Sequence, residues 1–109
     1  MVNRLKIVGV MGSGKERHEE LSLALGALLA RMGVNLLTGG GQGVMEAVCE
    51  GFASVADRAG LSLGVLPGRV EGDGCEAPPG YPNRFVEVPI RTHLPGRGEE
   101  GGTPLSRNL

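Results

Sequence analysis

Residues 34–45 read VNLLTGGGQGVM: a short apolar run ends at Thr38, and four of the next five positions are glycine. The apolar run predicts a buried strand, and the residues from Met45 onward predict a helix. Glycine loses more conformational entropy on folding than any other residue, so this many at one turn indicate positive φ or a close approach of the backbone to a ligand. Because the N–H groups at a helix start can receive an anion, the stretch predicts an anion-binding loop. A glycine-rich connection without a ligand is the alternative.

The sequence on the N-terminal side predicts an earlier strand and helix. Residues 5–10 form an apolar run typical of a buried strand. Ser13 and Glu16 then match a Ser-x-x-Glu capping box, which predicts that a helix starts here, and Gly33 predicts where it ends. Apolar residues recur at helical spacing in between and predict one apolar face; they are Leu21, Leu25, Leu28, Leu29 and Met32.

The sequence on the C-terminal side continues the alternation. A second apolar stripe predicts a helix that Gly60 ends; its members are Met45, Val48, Cys49, Phe52, Ala56 and Ala59. Residues 61–66 predict a third strand and residues 84–88 a fourth. Strands that alternate with helices predict an α/β fold with a Rossmann-like, doubly wound parallel sheet. In such sheets ligands bind beyond the carboxyl ends of the strands, where the glycine-rich loop lies.

The loop after the first strand is similar to two phosphate-binding motifs without satisfying either. Residues 9–16 read GVMGSGKE, which matches the G-x-x-x-x-G-K part of a P-loop but has Glu16 where a Ser or Thr must coordinate magnesium. The glycine spacing also differs from the G-x-G-x-x-G of dinucleotide-binding folds. Backbone N–H groups at a helix start remain, so residues 12–15 are a second candidate anion site, with a plain turn as the alternative.

Composition places the chain among folded single-domain proteins. It has 109 residues and a mass of 11.3 kDa, with 40% hydrophobic and 21% charged residues, which is typical of one globular domain. All seven prolines follow residue 66. Residues 1–67 are therefore predicted to form a strand-helix-strand-helix-strand core, and residues 68–109 a loop-rich remainder that holds the fourth strand.

Charge and motif content exclude several classes of partner. The formal net charge is -1, so the chain lacks the basic surface that binds nucleic acid or an anionic membrane. No apolar run is long enough to span a bilayer and no signal-peptide pattern is present, which predicts a cytoplasmic protein. Cys49 and Cys75 offer no C-x-x-C pair and no metal-ligand spacing, so neither a disulfide nor a metal is expected.

Three segments of the sequence resemble one known family. Residues 7–15 (IVGVMGSGK), 36–47 (LLTGGGQGVMEA) and 63–68 (LGVLPG) resemble the Lonely Guy (LOG)-like superfamily, formerly described as lysine decarboxylases, and within it the molybdenum cofactor carrier-type proteins. The resemblance implies a Rossmann-like sheet, homodimers or higher homo-oligomers, and a phosphorylated small-molecule ligand. In the family's hydrolases this ligand is a nucleoside 5′-monophosphate, and in the carriers it is the phosphorylated pterin of the molybdenum cofactor.

The two glycine-rich loops supply the candidate ligand-binding residues. Their backbone N–H groups are expected to contact the phosphate of the ligand. The candidates are Gly12, Ser13, Gly14, Lys15, Thr38, Gly39, Gly40, Gly41, Gln42, Gly43 and Met45.

The catalytic machinery of the family's hydrolases is only partly matched. Those enzymes pair an Arg with a Glu in a downstream P-G-G-x-G-T-x-x-E motif, and Arg107 matches the Arg, which makes it the candidate catalytic residue. The motif itself is missing, since residues 101–103 (GGT) are followed by Pro104 and no Glu comes after them. The chain thus resembles the first half to two-thirds of a family member, with a truncated sheet.

Three hypotheses about function stay open. The first is a binding protein for a nucleotide or the molybdenum cofactor, without complete catalytic machinery. The second is a LOG-type nucleoside 5′-monophosphate phosphoribohydrolase, for which another segment or another chain must supply the Glu. The third is an interaction module without a ligand.

Overall fold

Parallel strands and helices alternate along the chain in the computed structural model, which describes residues 4–68 and 77–94. The elements are β1 (Ile7–Gly9), α1 (Glu19–Arg31), β2 (Asn35–Thr38), α2 (Val44–Ala53), β3 (Ser62–Leu66) and β4 (Val88–Arg91). The sheet order is β1-β2-β3-β4, and each neighbouring pair is parallel. The predicted α/β class with a truncated Rossmann-like sheet is confirmed.

Both helices lie on one face of the sheet. Right-handed crossovers that progress in one direction across a parallel sheet place their helices on the same side, and α1 packs against α2 as well as against β2. Alternate residues of β2 and β3 are buried beneath the helices: Leu36, Thr38, Ser62, Gly64 and Leu66. On the other face Ile7, Val88 and Ile90 are 57%, 37% and 42% exposed. Within the described residues, helices therefore cover only one face.

The core lies between α2 and the sheet. Val48, Cys49 and Phe52 of α2 are fully buried and form one apolar cluster with Leu36 of β2. Burial of these side chains confirms the first two turns of the predicted stripe on this helix. It also explains why a thiol stands at position 49, since a free cysteine packs as a small apolar residue.

Glycines set the distance between the two helices. A Cβ at Gly26 of α1 would lie 2.1 Å from the carbonyl oxygen of Val48, and a Cβ at Gly51 of α2 would lie 2.1 Å from that of Leu23. Neither position has room for a side chain, so the two backbones are in direct contact.

The apolar stripe predicted for α1 does not face the core. Leu21, Leu28 and Met32 are 77%, 52% and 60% exposed, and Leu25 is 39% exposed, whereas Leu29 is buried. The close contact with α2 excludes long side chains, so the larger residues turn away from it. The buried face of α1 instead consists mostly of small residues: Ser22, Gly26, Leu29 and Ala30.

The predicted start of α1 is wrong. The capping box places the start at Ser13, whereas α1 begins at Glu19. Ser13 Oγ does accept hydrogen bonds from the N–H groups of Lys15 and Glu16, at 3.1 and 3.0 Å. His18, the residue before α1, has a φ of 42° in the left-handed region. Ser13 therefore closes a local turn rather than a helix.

Of the two predicted helix ends, the end of α1 is confirmed and the end of α2 is wrong. Gly33 follows the last turn of α1 with a φ of 76°, which confirms it as the stop. The prediction for α2 is wrong, because this helix ends at Ala53. The serine that follows donates its hydroxyl to a carbonyl of the last turn, and Ala56 and Ala59 are exposed beyond it. Gly60 is therefore not the residue that ends the helix.

The fourth strand lies later than predicted, at Val88–Arg91 rather than at residues 84–88. Asn83 prevents an earlier start by closing a turn. Its side-chain Oδ1 accepts a hydrogen bond from the Phe85 N–H at 3.0 Å, and its carbonyl accepts one from the Val86 N–H at 3.2 Å. The chain extends along β3 only after this turn.

Candidate functional site

A main-chain contact joins the two glycine-rich loops. The Val44 N–H, at the start of α2, donates to the Ser13 carbonyl at 2.9 Å. Gly43 has a φ of 68°, and a Cβ there would lie 2.3 Å from the same carbonyl oxygen. A Cβ at Gly12 would lie 2.7 Å from Val44 Cγ1. Since a side chain at either glycine would push the loops apart, these glycines allow the loops to meet.

The 39–43 loop is also held from within. Thr38 Oγ1 is buried and accepts a hydrogen bond from the Gly40 N–H at 3.0 Å. Gly40 has a φ of 75°, and a Cβ there would lie 2.4 Å from Leu66 Cδ2. The prediction that glycine serves positive φ in this loop is thus confirmed at Gly40 and Gly43.

A cleft of about 250 Å³ opens beside the loops, at the carboxyl ends of β1, β2 and β3. Glycine backbone and aliphatic side chains form its walls, and none of the lining residues is charged. They are Gly9, Val10, Met11, Leu37, Thr38, Gly39 and Val65. This is the edge at which open parallel α/β sheets bind their ligands.

The sequence predicted Thr38 and Gly39 as site residues, but it did not predict the aliphatic residues of the cleft wall. Leu37 and Val65 were interpreted only as strand residues. The signal that identifies such residues is the register of the sheet, because the last residues of adjacent parallel strands lie side by side. Gly9 of β1, for example, is paired with Leu37 of β2.

Two predicted ligand-binding residues make contacts within the protein. Met45 is buried, and its terminal methyl lies 2.9 Å from where a Cβ of Gly41 would be and 3.9 Å from that of Gly14. It therefore packs between the two loops. Gln42 is exposed, and its Nε2 donates to the Gly80 carbonyl at 2.8 Å.

Residues 12–15 do not lie at the start of a helix as predicted, because α1 begins further along the chain, at Glu19. The N–H groups of Lys15 and Glu16 are already bonded to Ser13 Oγ. Residues 12–15 lie beside the site because they contact the 39–43 loop. Their role in ligand binding stays a prediction.

Arg17 pairs with acidic side chains next to the loops. Its guanidinium donates to Glu46, in the first turn of α2, and to Glu50 at 2.7 Å. The hydrogen bond to Glu50, together with the attraction of the neighbouring carboxylates, raises the pKa of Arg17. The pairing offsets the repulsion that Glu46 would otherwise exert on an anion at the start of α2.

Several residues discussed from the sequence lie outside the described part of the chain, among them Cys75, residues 101–103 and Arg107. Within residues 4–68 and 77–94, no three His, Cys, Asp or Glu side chains come together as a metal site. No helix in these two ranges is long and apolar enough to cross a membrane.

The parallel sheet, the joined glycine loops and the cleft define a Rossmann-like ligand-binding protein. The chain belongs to the SLOG cluster4 family, whose model matches residues 5–100. This membership confirms the resemblance to the LOG-like superfamily. No curated protein shows significant sequence similarity to the chain.

Two similar solved structures have names that refer to the molybdenum cofactor. The molybdenum cofactor binding protein from the phototrophic bacterium Rippkaea orientalis is 32% identical with a TM-score of 0.66, over 84% of this chain and 52% of that one. The Moco carrier protein from Chlamydomonas reinhardtii is 31% identical with a TM-score of 0.61, over 84% and 51%. The chain spans about half the length of each, and the predicted likeness to molybdenum cofactor carriers is confirmed.

Proposed function

We propose that this chain binds a phosphorylated small molecule of the molybdopterin or nucleotide class, as a cytoplasmic binding protein without complete catalytic machinery. The glycine loops hold the phosphate, and the adjoining cleft takes the ring. The observation that carries the proposal is the hydrogen bond from the Val44 N–H to the Ser13 carbonyl. It fixes both loops beside a cleft at the carboxyl ends of the strands.

The cleft suits one end of such a ligand. Its volume of about 250 Å³ lies just below the roughly 300–1,000 Å³ of typical small-molecule sites, so it holds a ring or a phosphoryl group rather than a whole molecule. The side chains of Val10, Leu37 and Val65 offer an apolar wall to a flat ring, and no carboxylate in the lining repels a phosphate. The two solved structures named for the molybdenum cofactor support the pterin form of the ligand.

Binding is favoured over hydrolysis by the sequence of this chain. Cleavage of an N-glycosidic bond passes through an oxocarbenium-like state that a nearby carboxylate must stabilise. The 109 residues contain no P-G-G-x-G-T-x-x-E motif to supply that group. Arg107 would position the substrate only if another segment or chain completed the pair.

The proposal is tested with Gly41→Ala. A Cβ at Gly41 would come within 2.8 Å of the Tyr81 ring and 2.9 Å of the Met45 methyl, both of them side-chain atoms that can move, so the fold should survive while the backbone of the loop is displaced. A ligand at 100 times its Kd stabilises the parent by about 2.7 kcal/mol. We expect this gain to disappear in the variant. The measurement is thermal unfolding with inorganic phosphate, with AMP and with molybdenum cofactor released from a donor enzyme.

Gly33→Ala is the matched control for this experiment. Gly33 has a φ of 76° with no atom within 4 Å of an added Cβ, so its substitution lowers stability without touching the loops. It should keep the full gain from the ligand. Equal stabilisation of the parent and of Gly41→Ala by each probe would contradict the assignment of the site.

The proposal includes self-association. Leu21, Leu25, Leu28 and Met32 form an exposed apolar face on α1, and exposed patches of this kind mark interaction surfaces. We expect a homodimer or higher homo-oligomer at micromolar concentration in sedimentation velocity, with Leu28→Glu shifting it to the monomer because a charge cannot be buried there unpaired. A parent protein that sediments as a monomer would argue against this part.

A further inference from the structure

Asn83 is a buried polar residue that lies outside the helices and strands of the described residues and contacts the 39–43 loop. It is 3% exposed. Its backbone N–H donates to the Gly40 carbonyl at 2.7 Å, and its side-chain Nδ2 donates to the Gly41 carbonyl at 2.8 Å. Its Oδ1 accepts from the Phe85 N–H at 3.0 Å. One residue thus binds two consecutive carbonyls of the loop and is itself held by a turn.

These two bonds fix the orientation of the loop's peptide groups. In a planar trans peptide the C=O and the N–H point in opposite directions. Because the carbonyls of Gly40 and Gly41 point toward Asn83, the N–H groups of Gly41 and Gln42 point away from it. An anion at a glycine loop is bound by such N–H groups. The bonds to Asn83 therefore determine which way the donors of the loop face.

The surroundings of Asn83 keep it in place. Nδ2 also lies 3.9 Å from Sγ of Cys49, in the core of α2. Next to Asn83 along the chain, the Gly80 carbonyl accepts a hydrogen bond from Gln42 Nε2 at 2.8 Å, and the Tyr81 ring lies against Gly41. Residues 80–83 thus cover the loop on the side opposite to its outward N–H groups.

We propose that Asn83 is a positioning residue for the phosphate site: it holds the 39–43 loop in the orientation that binds the anion and so sets the affinity for the phosphorylated ligand. It acts through the carbonyls of Gly40 and Gly41 and does not contact the ligand. This inference rests on the proposed function, because it assigns a role within the same site.

The test uses two variants of Asn83 and one matched control. Asn83→Ala removes the amide group, whereas Asn83→Asp keeps an acceptor for the Phe85 N–H and replaces the donor to the Gly41 carbonyl with a carboxylate oxygen that repels it. The control is Asn35→Ala, because Asn35 Oδ1 accepts from the Leu61 N–H at 2.8 Å, a bond of the same kind at the amino end of β2. The two measurements are hydrogen exchange of the Gly40 amide, which is bonded to Thr38 Oγ1 at 3.0 Å, and the affinity for AMP.

Both Asn83 variants should exchange the Gly40 amide about tenfold faster than the parent and bind AMP about tenfold more weakly, since a buried hydrogen bond that orders the loop is lost. Asn35→Ala should change neither quantity. If Asn83→Ala fails to fold, Asn83→Asp carries the test. Parent-like exchange in the Asn83 variants, or equal effects in the Asn35 control, would overturn the inference. If the parent binds no AMP, phosphate or cofactor, the proposed function fails, while the exchange data still test whether Asn83 orders the loop.

Discussion

The two glycine-rich loops are similar in sequence and different in structure. In the 39–43 loop, two glycines adopt positive φ, Thr38 accepts from the Gly40 N–H, and Asn83 donates to the carbonyls of Gly40 and Gly41. In the 12–15 loop, the described glycines avoid positive φ, Gly14 and Lys15 are exposed, and the loop is closed by its own Ser13 hydroxyl. The 39–43 loop is therefore held by side chains from outside it, whereas the 12–15 loop is closed from within and meets the 39–43 loop at the bond from the Val44 N–H to the Ser13 carbonyl.

A count of glycines therefore does not distinguish a loop that the rest of the protein holds from one that is exposed. The neighbours of each glycine do so, because they determine whether an added Cβ meets backbone, a side chain or free space. Substitution of single glycines by alanine therefore tests whether the two loops differ in this way.

Gly43→Ala should have the largest effect. The new Cβ would meet the Ser13 carbonyl oxygen at 2.3 Å, which is backbone and cannot move freely, and the φ of 68° with a ψ of -132° is a strained conformation for an L-residue, at a cost of about 1–3 kcal/mol. We expect a loss of more than about 2 kcal/mol in the free energy of unfolding once overpacking is included. Urea denaturation measures it, with Gly33→Ala as the control at a positive-φ glycine whose added Cβ meets no atom within 4 Å. A cost no larger than that of the control would show that the loops do not depend on this contact.

Gly12→Ala should have a smaller effect that can be relieved. Its Cβ would lie 2.7 Å from a methyl of Val44, a side-chain clash of the kind that costs about 1–3 kcal/mol. Combining it with Val44→Ala should restore part of the loss, so the double variant is more stable than the sum of the single changes predicts. Gly14→Ala is the matched control, because the Met45 methyl is 3.9 Å away and the change should stay within about 0.5 kcal/mol. Simple additivity of the two changes would contradict a direct contact between Gly12 and Val44.

The sequence predicts those parts of the fold whose signal is local. Apolar runs located β2 and β3, and helical spacing located the buried face of α2 as far as Phe52. The orientation of α1 could not be predicted from hydrophobicity. Ser22, Gly26 and Ala30 recur every four residues, and this small-residue spacing marks the face that contacts α2, although no hydrophobic scale gives it weight.

Those parts of the site whose signal is local were also predictable. Glycine content identified the 39–43 loop and the need for positive φ, because that need is a property of the chain itself. Asn83 could not be found in this way, since it lies far along the sequence and its role depends on a tertiary contact with Gly40 and Gly41. The prediction that a helix starts at Ser13 was wrong for a related reason. Its hydroxyl binds the N–H groups that a cap would bind, but the backbone at His18 turns away.

The close approach of α1 and α2 at Gly26 and Gly51 restricts how this protein can diverge. Elsewhere in a core, a large residue can be exchanged for a small one if a neighbour compensates in volume. Here each glycine faces a carbonyl oxygen at 2.1 Å from a potential Cβ, and a carbonyl has no smaller alternative. A mutation at either position can be accommodated only if one whole helix moves, and a movement of α2 would shift the end of the glycine loop at Gly43 with it. Evolutionary change in this helix pair is therefore expected to accumulate on its outer residues, while the line of contact stays as it is.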